Sequence, residues 1–359
     1  MTLLVGETRI RLSDPALRLA QLCEHLTGHN ARLTEQEGES RLAFAIGTAT
    51  LRAEPGLLAL RAETSGLDEM ALLKNTLIGH LEAFVGNEPL DVVWTGDGAG
   101  PRPLPNFRAL RVARAAWVTP QMRRLTFSGE DLARYDAREL HVKLLIPPPG
   151  APLAEPSLGV SGRPVWPADL PRPLGRTYTI RGVDAAAGLV DVDFVAHGDA
   201  GPGTRLALTA QPGDVVGMMG PGGGSARPAG WTLLVGDETA LPAIGRMLER
   251  MPADARGLAL IEVADRAEEQ DLPRPAGVEL RWLHRNGIEA GQSALLREAA
   301  LAATPPAGEA DLFAWAGCEF ATFRALRAHW RDAWGLDKTR HLAVAYWRHG
   351  LAEDVMRAG

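Results

Sequence analysis

The sequence predicts a multi-domain protein: a small α+β domain, then an antiparallel β-barrel, then an α/β domain built on a parallel sheet. Three observations predict it. Apolar residues recur at helical spacing near both ends of the first 95 residues. Through the middle of the chain they alternate with polar residues, and after Trp231 continuous apolar runs alternate with amphipathic segments. With 359 residues, 46% of them hydrophobic, the chain can fill more than one core. A net charge of −6 provides no basic field over the whole molecule, which argues against a dedicated nucleic-acid binder. The two cysteines, Cys23 and Cys318, lie far apart and suggest no disulfide framework, as in a reducing compartment. Charged residues interrupt the N-terminus before a signal-length apolar run develops, and no segment has the roughly 18 apolar residues of a membrane span. A cytoplasmic protein is the expectation.

The first domain is expected over residues 1–95. It begins with "DPALRLAQLCEHL", where Leu17, Leu22 and Leu26 recur at helical spacing after an Asp-Pro start. The strand-like runs "SRLAFAI", "GTATLRAE" and "GLLALRAE" follow, and the amphipathic "LDEMALLKNTLIGHLEAFV" closes the block. Residues 96–106 are rich in Gly and Pro and read as a linker. The barrel is expected over 107–228. In "LVDVDFVAH", Val190, Val192 and Phe194 alternate with Asp191 and Asp193, a strand with one buried and one solvated face. A Pro-rich insertion, residues 147–173, reads as a surface loop. The remainder, 229–359, alternates strands ("WTLLVG", "GLALIEV", "VELRWL", "DLFAWAG", "HLAVAYW") with helices, the pattern of a parallel sheet covered on both faces, followed by a C-terminal extension.

Three motifs carry chemistry. "GRTYTIR", Gly175 to Arg181, puts Arg176, Tyr178 and Ile180 on one face and Thr177, Thr179 and Arg181 on the other. Such a strand can lay a tyrosine ring on a flat heterocycle while a guanidinium pairs with phosphate. It reads equally as an ordinary strand with a polar face. "HGDAGPGTRLA", from His197, leads through Gly201, Gly203 and Thr204 into a helical turn whose amides suit a pyrophosphate. "VGDETALPAIGRML" ends a buried strand in Gly236 and opens a helix at Thr239, the arrangement that binds nucleotides at a sheet's carboxyl edge. It lacks the three-glycine fingerprint and also reads as a plain capped helix.

Together with "QPGDVVGMMGPGG", "WLHRNG" and the terminal "AYWRHG", these motifs resemble the siderophore-interacting proteins of the ferredoxin-reductase superfamily, over residues 107–350. The first block resembles a small domain of uncharacterised function sometimes fused ahead of that family. The resemblance implies an FAD-dependent ferric-siderophore reductase that draws electrons from NAD(P)H. The alternatives are reduced ferredoxin as donor or a binding protein without turnover. It implies that Arg176, Tyr178 and Thr179 hold FAD, with His197, Gly201, Gly203 and Thr204 at the pyrophosphate. Gly236, Asp237, Glu238 and Thr239 would border the nicotinamide cofactor, and either Tyr346 or Trp347 would cover the flavin. Lys143 and Arg340 would face the ferric chelate. The flavin carries the chemistry, so no catalytic acid or base is assigned.

The chain departs from the family at Gly222 and Gly223 and at Leu342, where relatives often carry bases, and at Leu206, where tryptophan is usual. A less basic pocket favours a hydroxamate or mixed chelate over a tris-catecholate. Cys318 reads as a buried, inert thiol or as a group near the nicotinamide. In the first domain His25 and His29 lie one helical turn apart with Cys23 off their face, and no second ligand pair is evident, so no metal is assigned.

Overall fold

The computed structural model describes residues 3–28, 31–36, 38–86, 88–196 and 201–351, which form two compact units. The first unit takes residues up to Phe107 and then Ala154–Arg172. Its elements are β1 (Leu4–Arg11), α1 (Pro15–Gly28), β2 (Arg32–Gln36), β3 (Glu39–Phe44), β4 (Gly47–Glu54), β5 (Leu57–Thr64), α2 (Leu67–Leu81), β6 (Thr95–Gly96) and β7 (Arg102–Pro103). The chain then runs through β8 (Phe107–Thr119), β9 (Met122–Ser128) and β10 (His141–Ile146) of the second unit. It returns to the first with β11 (Ser157–Leu158) and β12 (Pro164–Val165).

In the first unit a six-stranded sheet in the order β2-β3-β4-β5-β1-β6 is covered on one face by α1 and α2. Alternation decides which side is inside. Leu42, Leu51, Leu58 and Leu60 point at Leu22 and Leu26 of α1 and at Leu73, Leu77 and Leu81 of α2. Leu17, placed on that apolar face by its spacing, is instead exposed. The proline-rich insertion, expected to be a surface loop, is part of this unit. Its β11 pairs with β7 and β12, Ser161 O accepts from Trp94 Nε1 at 3.1 Å, and Arg163 bonds Glu82 and Asn75. Residues 96–106, read as a linker, likewise carry β6 and β7 within the unit.

The second unit continues with β13 (Leu174–Asp184), β14 (Leu189–Val195), α3 (Pro202–Thr209) and β15 (Val215–Gly222). With β8, β9 and β10 these strands form a closed barrel in the order β10-β13-β14-β9-β8-β15. Leu125, Phe127, Leu144, Ile180, Val192 and Phe194 fill it, as small barrels are filled by side chains. Next come β16 (Trp231–Asp237), α4 (Leu241–Glu249), β17 (Arg256–Val263), β18 (Gly277–His284), α5 (Leu295–Ala302), β19 (Leu312–Glu319), α6 (Phe320–Asp332) and β20 (His341–Trp347). Their sheet is parallel, in the order β18-β17-β16-β19-β20. α4 packs on one face, and α5 and α6 on the other. Both faces are dry, so β16, β17 and β19 are almost wholly buried, which explains their unbroken apolar runs. Among the described residues no helix is long and apolar enough to cross a membrane.

Candidate flavin and nucleotide site

A cavity of about 530 Å³ lies where the barrel meets the carboxyl edge of the parallel sheet. From the barrel it is lined by His141 of β10, Thr177, Tyr178 and Thr179 of β13, Asp193 and Val195 of β14, and Thr204 of α3. From the sheet domain come Glu238 and Thr239, just past β16, and Val344 to Trp347 at the end of β20. A second cavity of about 530 Å³, lined by Arg138, Arg227, Arg250 and the start of β16, holds none of the residues that the motifs single out.

The barrel wall is built around Tyr178. Its ring packs on Phe194 with centroids 4.3 Å apart, and its hydroxyl lies over the first turn of α3. A Cβ at Gly203 would sit 1.7 Å from that oxygen, so only glycine allows helix and ring to approach so closely. Gly201 caps α3, and Pro202 occupies the first position, where a helix N–H has no intrahelical partner in any case. Thr204 follows on the cavity side. His197, the first residue of that motif, lies outside the described residues.

Asp193, expected on a solvated face, is buried. Arg124 holds it with two bonds, Nε to Oδ1 at 2.6 Å and Nη2 to Oδ2 at 2.8 Å. This is the paired geometry that a buried carboxylate needs.

The sheet edge corrects the reading of Thr239 as a helix start. α4 begins at Leu241, and the Thr239 N–H and hydroxyl both donate to Asp237 Oδ1, at 2.9 and 2.5 Å. Asp237 Oδ2 accepts from Trp347 Nε1 at 2.8 Å, which fixes that indole on the cavity wall. Burial, then the neighbouring Glu238, push the Asp237 carboxyl up to about 7 against the pull of these donors. Glu238 is itself buried and is gripped by Arg285 through two bonds of 2.7 Å. Glu262 adds a second carboxylate to Arg285 at 3.5 Å. Burial works against the Arg285 charge, but the carboxylates prevail and its pKa is raised. Gly236 serves packing: a Cβ there would meet Ala240 at 2.7 Å and Ile244 at 2.9 Å, both from the start of α4.

Barrel and sheet are tied across the cavity by His141 and Tyr346. His141 Nε2 and the Tyr346 hydroxyl are 2.5 Å apart, and Thr179 also bonds Tyr346. Burial, reinforced by the Arg246 charge, pushes His141 down to about 4, and burial raises the Tyr346 phenol. His141 is therefore a neutral imidazole at physiological pH.

Other expected residues lie elsewhere. Arg176 donates to Gly175 O at 2.9 Å and is not part of the cavity wall. Lys143 pairs in register with Thr177, and its stem lies against Gly175. Arg340 is not brought to the site. It precedes β20, at the amino edge of the sheet, where it bonds Gly335 O at 2.7 Å and pairs with Asp337. Cys318 points into the apolar layer beneath α6 with Leu326 and Trp330, and burial pushes its thiol well up, so it is inert. Leu206 packs on the barrel core. The residue-level reading did not single out His141, Arg285 or Asp193. His141 opens the run "HVKLLIP" and Arg285 stands inside "WLHRNG", but a strand histidine and a loop arginine carry no signal of their partners.

The wall fits a flavin ring. It offers a flat tyrosine face, four threonines and the further aromatics Tyr346 and Trp347, and among the described residues no lysine or arginine lines it. Arginines outside the lining neutralise both of its carboxylates. A neutral, tricyclic heterocycle matches a wall of that kind.

The comparisons agree with this geometry. Residues 111–225 match the family described as siderophore-interacting FAD-binding domain, and residues 229–350 match siderophore-interacting protein. Residues 7–95 match a family described as an uncharacterized protein conserved in bacteria. The ferric vibriobactin reductase ViuB of Vibrio cholerae is 32% identical over 251 residues, 69% of this chain and 91% of that protein. The NADPH-dependent ferric-chelate reductase of Escherichia coli is 31% identical over 248 residues, 67% and 92% respectively. Among solved structures, the siderophore-interacting protein SipS of Aeromonas hydrophila superposes with a TM-score of 0.61 at 37% identity, covering 70% of this chain and 96% of that one. The chain belongs to the siderophore-interacting protein family.

Proposed function

We propose that the chain is an FAD-dependent reductase of ferric siderophores that takes its electrons from NAD(P)H. The observation that carries this reading is a cavity to which the barrel and the carboxyl edge of the sheet both contribute: Tyr178, Thr179 and Thr204 on one side, Glu238, Thr239 and Trp347 on the other. A flavin held there would supply the chemistry of two-electron acceptance from a nicotinamide and one-electron donation to Fe(III). The balance is one NAD(P)H for two ferric chelates, giving NAD(P)⁺, a proton and two Fe(II).

The protein's work is positional. Tyr178, backed by Phe194 and seated against Gly203, presents a rigid aromatic face, and Thr177, Thr179 and Thr204 offer hydroxyls beside it. Arg176 and Lys143, on neighbouring strands, are assigned to the phosphate side and to the anionic chelate. Arg285 cancels the charge of Glu238, so the sheet edge does not repel an electron-rich ring or an anionic cofactor. Asp237 fixes the Trp347 indole, and the His141–Tyr346–Thr179 chain keeps the sheet edge against the barrel and excludes water. Arg340, remote from the cavity, is given no role.

The test is spectroscopic. Purified protein incubated with FAD is expected to show flavin bands that bleach with NADPH or NADH under anaerobic conditions. The bands return on adding a ferric hydroxamate or a ferric catecholate while Fe(II) accumulates in a trap. Bleaching only with reduced ferredoxin moves the donor assignment, and failure to take up flavin ends the reading. At residue level, Gly203→Ala is expected to weaken FAD binding at least tenfold by displacing Tyr178.

A further inference from the structure

Arg181, the last residue of "GRTYTIR", has no part in the cavity. Alternation puts it on the face of Thr177 and Thr179, which line the wall, yet Arg181 is not among the lining residues. The pairing of β13 with β14 shows why. Ile180 pairs with Val192 and Gly182 with Asp191, so Arg181 is one residue too many, a bulge that re-aims its side chain. The guanidinium lies across Gly245 of α4, where an added Cβ would sit 3.4 Å from its Nε. It pairs with Glu249 of the same helix through bonds of 3.0 and 2.6 Å.

Arg246 of α4 grips the same bulge. It is 1% exposed, and its fork reaches three backbone carbonyls of the barrel. Nη1 donates to Ile180 O at 3.1 Å, and Nη2 donates to Tyr135 O at 2.8 Å and to Ala137 O at 3.0 Å. Asp136, 4.0 Å away, is taken by Arg250. Burial, then the charge of Arg250, lower the Arg246 pKa to about 10, so it stays charged at neutral pH. Apolar side chains would seal such an interface without the cost of burying a charge. A planar fork that meets three carbonyls in fixed directions instead allows one seating of helix on strand.

The two sides of this contact lead to the two sides of the cavity. Ile180 follows Thr179 of the barrel wall, and α4 begins two residues after Thr239 of the sheet edge. Helices bend only gently, so the seating of Arg246 and Glu249 sets where Glu238 and Thr239 stand relative to Tyr178. We propose that Arg246 is a positioning residue for hydride transfer, which locks α4 onto the β13 bulge and so sets the spacing of nicotinamide and flavin. This role rests on the reductase reading, in which NADPH hands a hydride to the flavin and leaves as NADP⁺. That step needs its reacting atoms about 3–3.5 Å apart and aligned, so a small shift slows it about tenfold or more. Single electrons pass to Fe(III) without a bond being made, and that half-reaction tolerates the shift.

The experiment compares the half-reactions in the full-length protein. Arg246→Lys keeps the charge but offers one nitrogen for three carbonyls, and Glu249→Gln is a milder second variant. Under anaerobic stopped flow, bleaching of bound FAD by saturating NADPH is expected to slow at least about tenfold in Arg246→Lys and about threefold in Glu249→Gln. FAD affinity, and the reoxidation of photoreduced flavin by a ferric hydroxamate, should stay within about twofold. An unchanged bleaching rate, or an equal loss in both half-reactions, overturns the proposal. Hydrogen exchange in the flavin-free protein tests the docking by itself. In Arg246→Lys the amides of residues 179–182 and 237–241 are expected to lose protection while those of β17 keep theirs. Unchanged protection overturns the proposal whatever the flavin does. Lost protection in a protein that NADPH cannot reduce leaves the docking standing and removes only the reductase reading.

Discussion

The two units use charge in opposite ways. On the open face of the first unit's sheet, Arg61 pairs with Glu7 and Glu63, and Arg52 with Glu54, all at the surface. At the carboxyl edge of the second unit's sheet, Arg285 is buried between Glu238 and Glu262. Water screens the first set, so surface pairs of that kind contribute little. Arg285 has no water to fall back on, and its loss would strand two carboxylates in a dry wall. The comparison separates charge that keeps a sheet face solvated from charge that shapes a cavity.

The largest effect is therefore expected from Arg285→Met. Chemical denaturation should report a loss of about 3–5 kcal/mol, the cost of uncompensated buried charge. A loss below about 1 kcal/mol would mean that the pair is solvated and the contrast false. The next effect is pH-dependent. His141 titrates near 4 in the folded protein and near 6.5 when unfolded, so its stabilising share is complete above about pH 6.5 and is lost as the pH falls toward 4. His141→Gln keeps a polar group within reach of Tyr346 but cannot titrate. Its denaturation midpoint should fall less steeply than that of the unaltered protein between pH 6.5 and 4.5, and parallel profiles would contradict the assignment. The smallest effect belongs to Arg61→Ala, expected within about 0.5 kcal/mol despite two ion pairs. A larger loss would show that the open face is less solvated than its exposure implies.

Much of the fold was legible because periodicity reports burial directly. Unbroken apolar runs became the doubly covered strands β16, β17 and β19, and the alternation at Val190, Val192 and Phe194 became a barrel wall. Gly201, Gly203 and Thr204 were legible as a turn, but what approaches Gly203 is the Tyr178 ring, a partner 25 residues away in sequence. The Asp193 misreading has the same cause: alternation gives the side of a strand, not whether an arginine waits there. Proline content likewise pointed to a loop without strands in the insertion, whereas the short strands β11 and β12 form there and Ser161 and Arg163 are anchored in the first unit. Arg340 was close in sequence to the terminal aromatics, yet β20 carries those residues to the opposite edge of the sheet from it.

The sequence by itself determined the domain classes and the order of the main strands and helices, because these follow from local periodicity, while the motifs pointed to a flavin only through the family they resemble. Only the tertiary structure decided which charges are neutralised and which side chains share a wall. Arg285 with Glu238, His141 with Tyr346 and His25 with His80 are each brought together by separate elements. Pairing across a fold depends on where packed surfaces place two side chains, and no local pattern in the chain encodes that distance.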